Sequence, residues 1–163
     1  MSKQFDVVVI GAGPGGYIAA IRAAQLGMKV ACIDAWQNGK GGPAPGGTCT
    51  NVGCIPSKAL LQSSEHFDQV NHHFGDHGIE VKGVSLKLDK MLGRKNEVVK
   101  QNNDGILYLF KKNKIEFFHG TGAFAGEADG LYQVKVSGTT EADLSAKHVI
   151  VATGSSAREL PGL

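Results

Sequence analysis

The chain has 163 residues, 42% of them hydrophobic, enough for one domain with a sizeable core. Its 17 basic and 15 acidic residues leave a formal charge of +2, which offers no electrostatic reason to expect nucleic acid or an anionic membrane as partner. No apolar run reaches the ~18 residues of a membrane span, the start lacks a signal-peptide core, and three cysteines are too few for a secreted disulfide framework, so a cytoplasmic protein is expected.

Phe5 to Ile10 is a short β-branched apolar run ended by glycine, which reads as a buried parallel strand. Pro14 to Leu26, rich in alanine, reads as a tightly packing helix closed by Gly27. Lys29 to Ile33 is a second buried strand, completing a βαβ unit with a right-handed crossover. Ala35 to Gly47, with its glycines and prolines, is a loop. A helix is predicted from about Thr48 to Phe67, followed by an irregular polar stretch to Gly78. Apolar residues from Leu88 to Phe110 recur at steps of three and four and predict a long amphipathic helix, Leu86 to Lys112; Lys111, Lys112 and Lys114 suit its solvated end. Ile115 to Phe118 is strand-like. Gly122 to Ala125, Leu131 to Ser137 and Glu141 to Leu144 predict a small antiparallel meander, and His148 to Ala152 a further buried strand. The whole is an α/β, Rossmann-like arrangement: parallel sheet, helices and a small antiparallel β-meander.

Gly11-Ala12-Gly13-Pro14-Gly15-Gly16 fits G-x-G-x-x-G between a strand and a helix. Gly11 permits the tight turn, Gly13 lets backbone approach a pyrophosphate, and Gly16 lets the helix pack on the strand. Phosphates then meet free N–H groups at the helix start. Asp34 ends the second strand, where an acid can accept from a ribose diol and argues against a 2′-phosphate. The pattern fits either FAD or NAD.

Cys49 and Cys54 sit five apart behind Gly46-Gly47. In regular helix their Cα atoms would lie about 8.6 Å apart, whereas a disulfide needs roughly 4.4–6.8 Å. They cannot both occupy undistorted helix and be bonded. Gly53 relaxes the first turn, and Pro56 is tolerated only near a helix start. Cysteines there feel the positive end of the helix dipole, which favours thiolate. A zinc half-site is the competing reading, but the spacing is unusual and no second ligand pair exists. A structural disulfide conflicts with a reducing compartment. Lys58 lies one turn after Cys54 on the same face. Cys32, mid-strand, reads as a buried inert thiol.

The stretches Val7 to Tyr17, Gly46 to Ser64 and Val149 to Ser155 resemble the N-terminal part of the flavin disulfide reductases, the pyridine nucleotide-disulfide oxidoreductases. Cys54-Ile55-Pro56-Ser57-Lys58-Ala59-Leu60-Leu61 is most similar to their lipoamide branch. The resemblance covers essentially the whole sequence. It implies FAD along the fingerprint, with the pyrophosphate at Gly11, Gly13, Pro14 and Gly16 and the ribose on Asp34. Gly47, Thr48 and Lys58 would face the ribityl and isoalloxazine region, Gly122 and Ala123 the adenine. Thr153, Gly154 and Ser155 match a second flavin motif. It implies a redox-active Cys49–Cys54 disulfide, with Cys49 exchanging with the dithiol substrate, Cys54 facing the flavin, and Lys58 stabilising both negative charges.

The implied activity is oxidation of dihydrolipoamide, free or on a lipoyl domain of a 2-oxoacid dehydrogenase complex, with NAD⁺ as final acceptor and a homodimeric parent. Residues 1–163 would be the N-terminal segment of the FAD-binding domain. The NAD-binding domain and the C-terminal dimer-interface domain, source of the family's catalytic His–Glu pair, are absent from this sequence, so an inactive fragment is expected. Asp34 departs from the commoner Glu, and the Trp36 to Pro45 loop is longer than in many members. Other disulfide or mercuric reductases of the family, and a non-enzymatic flavin-binding module, are the alternatives. His66, His72, His73, His77, His119 and His148 do not replace the missing histidine. His72, His73 and His77 form a polar cluster read as solvated, with no resident metal expected.

Overall fold

The structure, a computed structural model, describes residues 2–160 and 162. The elements are β1 (Lys3–Ile10), α1 (Pro14–Gln25), β2 (Val30–Asp34), α2 (Gly47–Asn51), α3 (Cys54–His72), α4 (Leu88–Lys112), β3 (Glu116–His119), β4 (Thr121–Ala128), β5 (Leu131–Ser137) and β6 (Ala142–Val151). A single 3-10 turn, Phe74–His77, follows α3.

All six strands join one sheet in the order β3-β2-β1-β6-β5-β4. β1 runs parallel to both β2 and β6, with Ile10 opposite Ile33 on one side and Val151 on the other. β2 runs parallel to β3, and β5 antiparallel to β4 and β6. The apolar run Val7 to Ile10 is buried on both sheet faces, as an interior parallel strand must be. On one face Val7, Val9, Val30 and Cys32 lie under Ala20 and Ala23 of α1 and Ile106 and Phe110 of α4. On the other, Val8, Ile10, Ala31, Ile33 and Phe118 meet Val134, Val136, Leu144 and Ala146. The antiparallel strands therefore curl back to cover the parallel ones. Gly122 of β4 makes that possible, since a Cβ there would sit 2.9 Å from Ile33 Cδ1.

Several boundaries differ from the sequence reading. The helix predicted from Thr48 to Phe67 is two helices, broken at Val52-Gly53, and the second runs on to His72. The meander's last strand and the strand after it are one ten-residue strand, β6, which leaves β5 and continues beside β1. Its end is not buried: Val151 is 61% exposed, because no described element covers that face. In α4 the apolar stripe is buried only in its second half. Ile106 and Phe110 face the sheet, while Leu88 is exposed.

Candidate active site

Chain order reverses between β1 and β6, and open α/β sheets form a crevice at the carboxyl ends of strands at such a point. Here the crevice is a cleft of about 400 Å³ lined by Gly11, Gly13, Pro14, Asp34, Trp36, Gly47, Thr48, Cys49, Gly53, Cys54 and Ala152 to Ser155. The glycine turn, the acid, both cysteines and the Thr153-Gly154-Ser155 segment thus meet in one place. They come from four separate parts of the chain.

Gly11 has φ +100°, and a Cβ on it would run into the Ala152 carbonyl. Gly16, which is buried rather than lining the cleft, has Gly11's carbonyl where a Cβ would go. Gly13 is different: a Cβ there meets only Gly47 Cα, at 3.8 Å. Its surface opens onto the cleft beside the start of α1, whose first N–H groups lack intrahelical acceptors. Asp34 shapes this turn directly. Its Oδ2 accepts from Ala12 N at 2.6 Å and its Oδ1 from Trp36 N at 2.9 Å.

Cys49 lies in α2 and Cys54 opens α3, and they are disulfide-bonded with Cα atoms 4.6 Å apart. The break between the helices achieves this. Thr48's carbonyl accepts from both Val52 N and Gly53 N, reversing the chain within five residues of Cys49. Pro56 sits in the first turn of α3, where no N–H is needed. Cys54 therefore lies at the positive end of a 19-residue helix. The loop before α2 is held to the glycine turn by Gly46 N donating to the Ala12 carbonyl at 2.7 Å.

Other expected residues fall outside this cleft. Lys58 lines a groove between α3 and α4, with Ala59, Gln62 and Arg94, and has no hydrogen bond or ion pair among the described residues. Gly122 lines a second, smaller cavity of about 250 Å³ that also contains Asp34, Trp36 and Thr153. Ala123 is exposed on β4 and lines neither cavity. Cys32 is fully buried, and burial, with Asp34 close by, pushes its thiol far above the ordinary range. His72 and His73 both face Asp68, at 2.9 and 3.6 Å, while His77 lies in the 3-10 turn; among the described residues no cluster of three metal-binding side chains forms.

The residues fit a dinucleotide. The backbone at Gly13 is bare and open, the helix start faces the cleft, and a carboxylate stands at the end of β2. The sequence reading missed Trp36 as a lining residue, although a lone tryptophan two residues past the acid was a signal. It also missed Asn103, a polar residue on the stripe that carries Val99, Ile106 and Phe110.

The model of the pyridine nucleotide-disulphide oxidoreductase family matches residues 5–163. Among curated proteins, the chain is 56% identical over its whole length to a dihydrolipoyl dehydrogenase of Cupriavidus necator, of which it covers 34%. It is 48% identical over 99% of its length to mitochondrial dihydrolipoyl dehydrogenase 1 of Arabidopsis thaliana, covering 30% of it. It is 46% identical over 99% of its length to a leghemoglobin reductase of Vigna unguiculata, covering 29%. The chain thus spans about a third of the length of these relatives. Their names include bacterial and mitochondrial proteins, so kinship does not assign the cytoplasm. What is certain is that, among the described residues, no helix is long and apolar enough to cross a membrane. With a glycine turn, a carboxylate and a disulfide in one crevice, and a family match over nearly its full length, this chain belongs to the pyridine nucleotide-disulphide oxidoreductases.

Proposed function

We propose that this chain is the flavin-holding, disulfide-bearing part of a dihydrolipoyl dehydrogenase, and that its parent oxidises dihydrolipoamide with NAD⁺ as final acceptor. The observation that carries the reading is the Cys49–Cys54 disulfide lining the same cleft as Gly13 and Asp34. FAD, when bound, accepts the electron pair from the dithiol and delivers it to the nicotinamide. Gly11, Gly13 and Pro14 would line its pyrophosphate, with Gly16 letting α1 pack close behind them, Asp34 would hold its ribose, and Gly47, Thr48 and Thr153 to Ser155 its middle and ring.

The chain's own chemistry is thiol–disulfide exchange. A substrate thiolate attacks Cys49 Sγ, the Cys49–Cys54 bond breaks, and Cys54 leaves as a thiolate stabilised at the start of α3. The second substrate thiolate then attacks the mixed disulfide and releases Cys49. Two electrons pass to the cysteines and two protons leave the substrate. Asp34 is the one carboxylate among the described lining residues, and backbone N–H groups occupy both its oxygens. In this reading the proton acceptor that the step needs is the His–Glu pair that the family resemblance implies for the parent homodimer. The partner is dihydrolipoamide, free or on a lipoyl domain of a 2-oxoacid dehydrogenase complex.

The test is an assay of the whole protein with dihydrolipoamide and NAD⁺, following NADH, beside the reverse direction with oxidised glutathione or Hg²⁺ as acceptor. A preference for the lipoamide couple is expected. Faster turnover of glutathione or Hg²⁺ would assign another branch of the family, and a bound flavin with no turnover of any of the three would leave a binding module.

A further inference from the structure

Asn103, on α4, is 6% exposed and faces the disulfide loop rather than solvent. Its Nδ2 donates to the Pro45 carbonyl at 2.7 Å and to Asn51 Oδ1 at 3.1 Å. Asn51 in turn donates from its own Nδ2 to the Ala44 carbonyl at 2.9 Å and the Gly47 carbonyl at 3.0 Å. A side-chain amide has two N–H donors, so both amides use their full donor capacity. The four bonds tie α4 to the loop Ala44 to Gly47 and to both ends of α2, the helix that carries Cys49.

We propose that Asn103 is a positioning residue for the redox pair: through Asn51 it clamps the α2 loop so that Cys49 and Cys54 stay at bonding distance. The inference rests on reading these cysteines as redox-active.

The physical case is one of length and entropy. A helix of five residues cannot hold its own shape, because the nucleation cost is not recovered over so few bonds. Cohesion of α2 must come from outside, and the amide relay from α4 supplies part of it, beside the bond from Gly46 N to the Ala12 carbonyl. The Cα atoms of the pair stand 4.6 Å apart, inside the range a disulfide needs. On reduction the sulfurs separate. A clamped loop keeps the two thiols near each other and so favours reclosure; a loose loop spreads them over more conformations and favours the open dithiol. Loss of the clamp should make the disulfide easier to reduce.

The test equilibrates the whole protein with glutathione buffers of set ratio, then traps and counts thiols by alkylation and mass. Two glutathione thiols reduce one Cys49–Cys54 bond. That bond breaks, one glutathione disulfide forms, and two protons pass to the protein thiols. Asn103→Leu keeps the branched shape in a larger side chain and removes both donors. It should shift the equilibrium about tenfold toward the dithiol, roughly 30 mV toward less negative potential. Asn103→Ser, which retains one donor, should shift it less and serves if the leucine variant does not fold. Ile106→Ala weakens the contact of α4 with the sheet one turn further on, so it should lower stability and leave the equilibrium in place.

A titration of Asn103→Leu and Asn103→Ser superimposed on the parent, or shifts matched by Ile106→Ala, would overturn the proposal while leaving the redox reading intact. A parent disulfide that neither a glutathione buffer nor excess dihydrolipoamide opens would overturn both.

Discussion

Gly13 and Gly47 touch through bare backbone: a Cβ on Gly47, which has φ +60°, would lie 2.8 Å from Gly13 Cα. The nucleotide turn and the disulfide loop are thereby pressed together, which puts both cysteines within the cleft that the fingerprint opens. Neither glycine motif alone would place the disulfide beside the glycine turn.

That contact separates the roles of the glycines. Gly13→Ala meets no atom closer than 3.8 Å and has ordinary backbone angles, so it should cost less than about 1 kcal/mol of stability. Its methyl projects into the cleft, and flavin affinity should fall about tenfold or more. Gly16→Ala drives a methyl into Gly11's carbonyl and should cost about 3 kcal/mol. Urea denaturation beside flavin fluorescence titration distinguishes the two.

Asp34→Asn keeps the shape but turns one acceptor into a donor. Ala12 N or Trp36 N then loses its partner, a loss of about 1 kcal/mol for a half-buried site. Flavin release on dilution should quicken as the turn loosens. A variant as stable as the parent, with unchanged flavin retention, would contradict the role given to this carboxylate.

Reduction of the Cys49–Cys54 bond opens a short loop, with a sequence separation of 5. Chain entropy for so small a ring amounts to about 2 kcal/mol, and the double variant Cys49→Ser/Cys54→Ser should show the same loss. Denaturation with and without dithiothreitol measures the first, and the variant should not respond to the reductant.

Cys32 should stay silent. Its thiol is buried and held neutral by desolvation, with Asp34 adding to the effect. The reduced native protein should therefore alkylate at two cysteines at pH 8, and at the third only after denaturation. Rapid labelling of Cys32 in the native state would show that β2 opens far more readily than a central strand should.

Asp6 gives the acid dependence a sign. The Lys147 ammonium and the Lys29 N–H, both at 2.8 Å, hold its carboxyl below the usual value of 3.8. A carboxyl depressed in the folded state stabilises above its unfolded pKa, and that stabilisation is lost as pH falls through the folded value. Asp6→Asn should flatten the stability profile below about pH 4, and high salt should shrink the difference because the pair is exposed. Parallel melting curves at pH 7 and pH 3 test it.

Local chemistry wrote much of this protein into its sequence. The β-branched run before Gly11, the glycine spacing and the acid at position 34 needed only short-range rules to be read. So did the conclusion that Cys49 and Cys54 require a broken helix, because five-residue separation and helix geometry are incompatible with a bond. What tertiary structure alone decided lies in long-range contacts. The joining of Glu141–Leu144 to His148–Ala152 as one strand follows from pairing with β1, which no local pattern encodes. The placing of Lys58 in the α3–α4 groove depends on how those helices pack. Asn103 shows the reason most clearly: its place on an apolar stripe was visible, but its partners are 52 and 58 residues away, and only folding brings their carbonyls within reach.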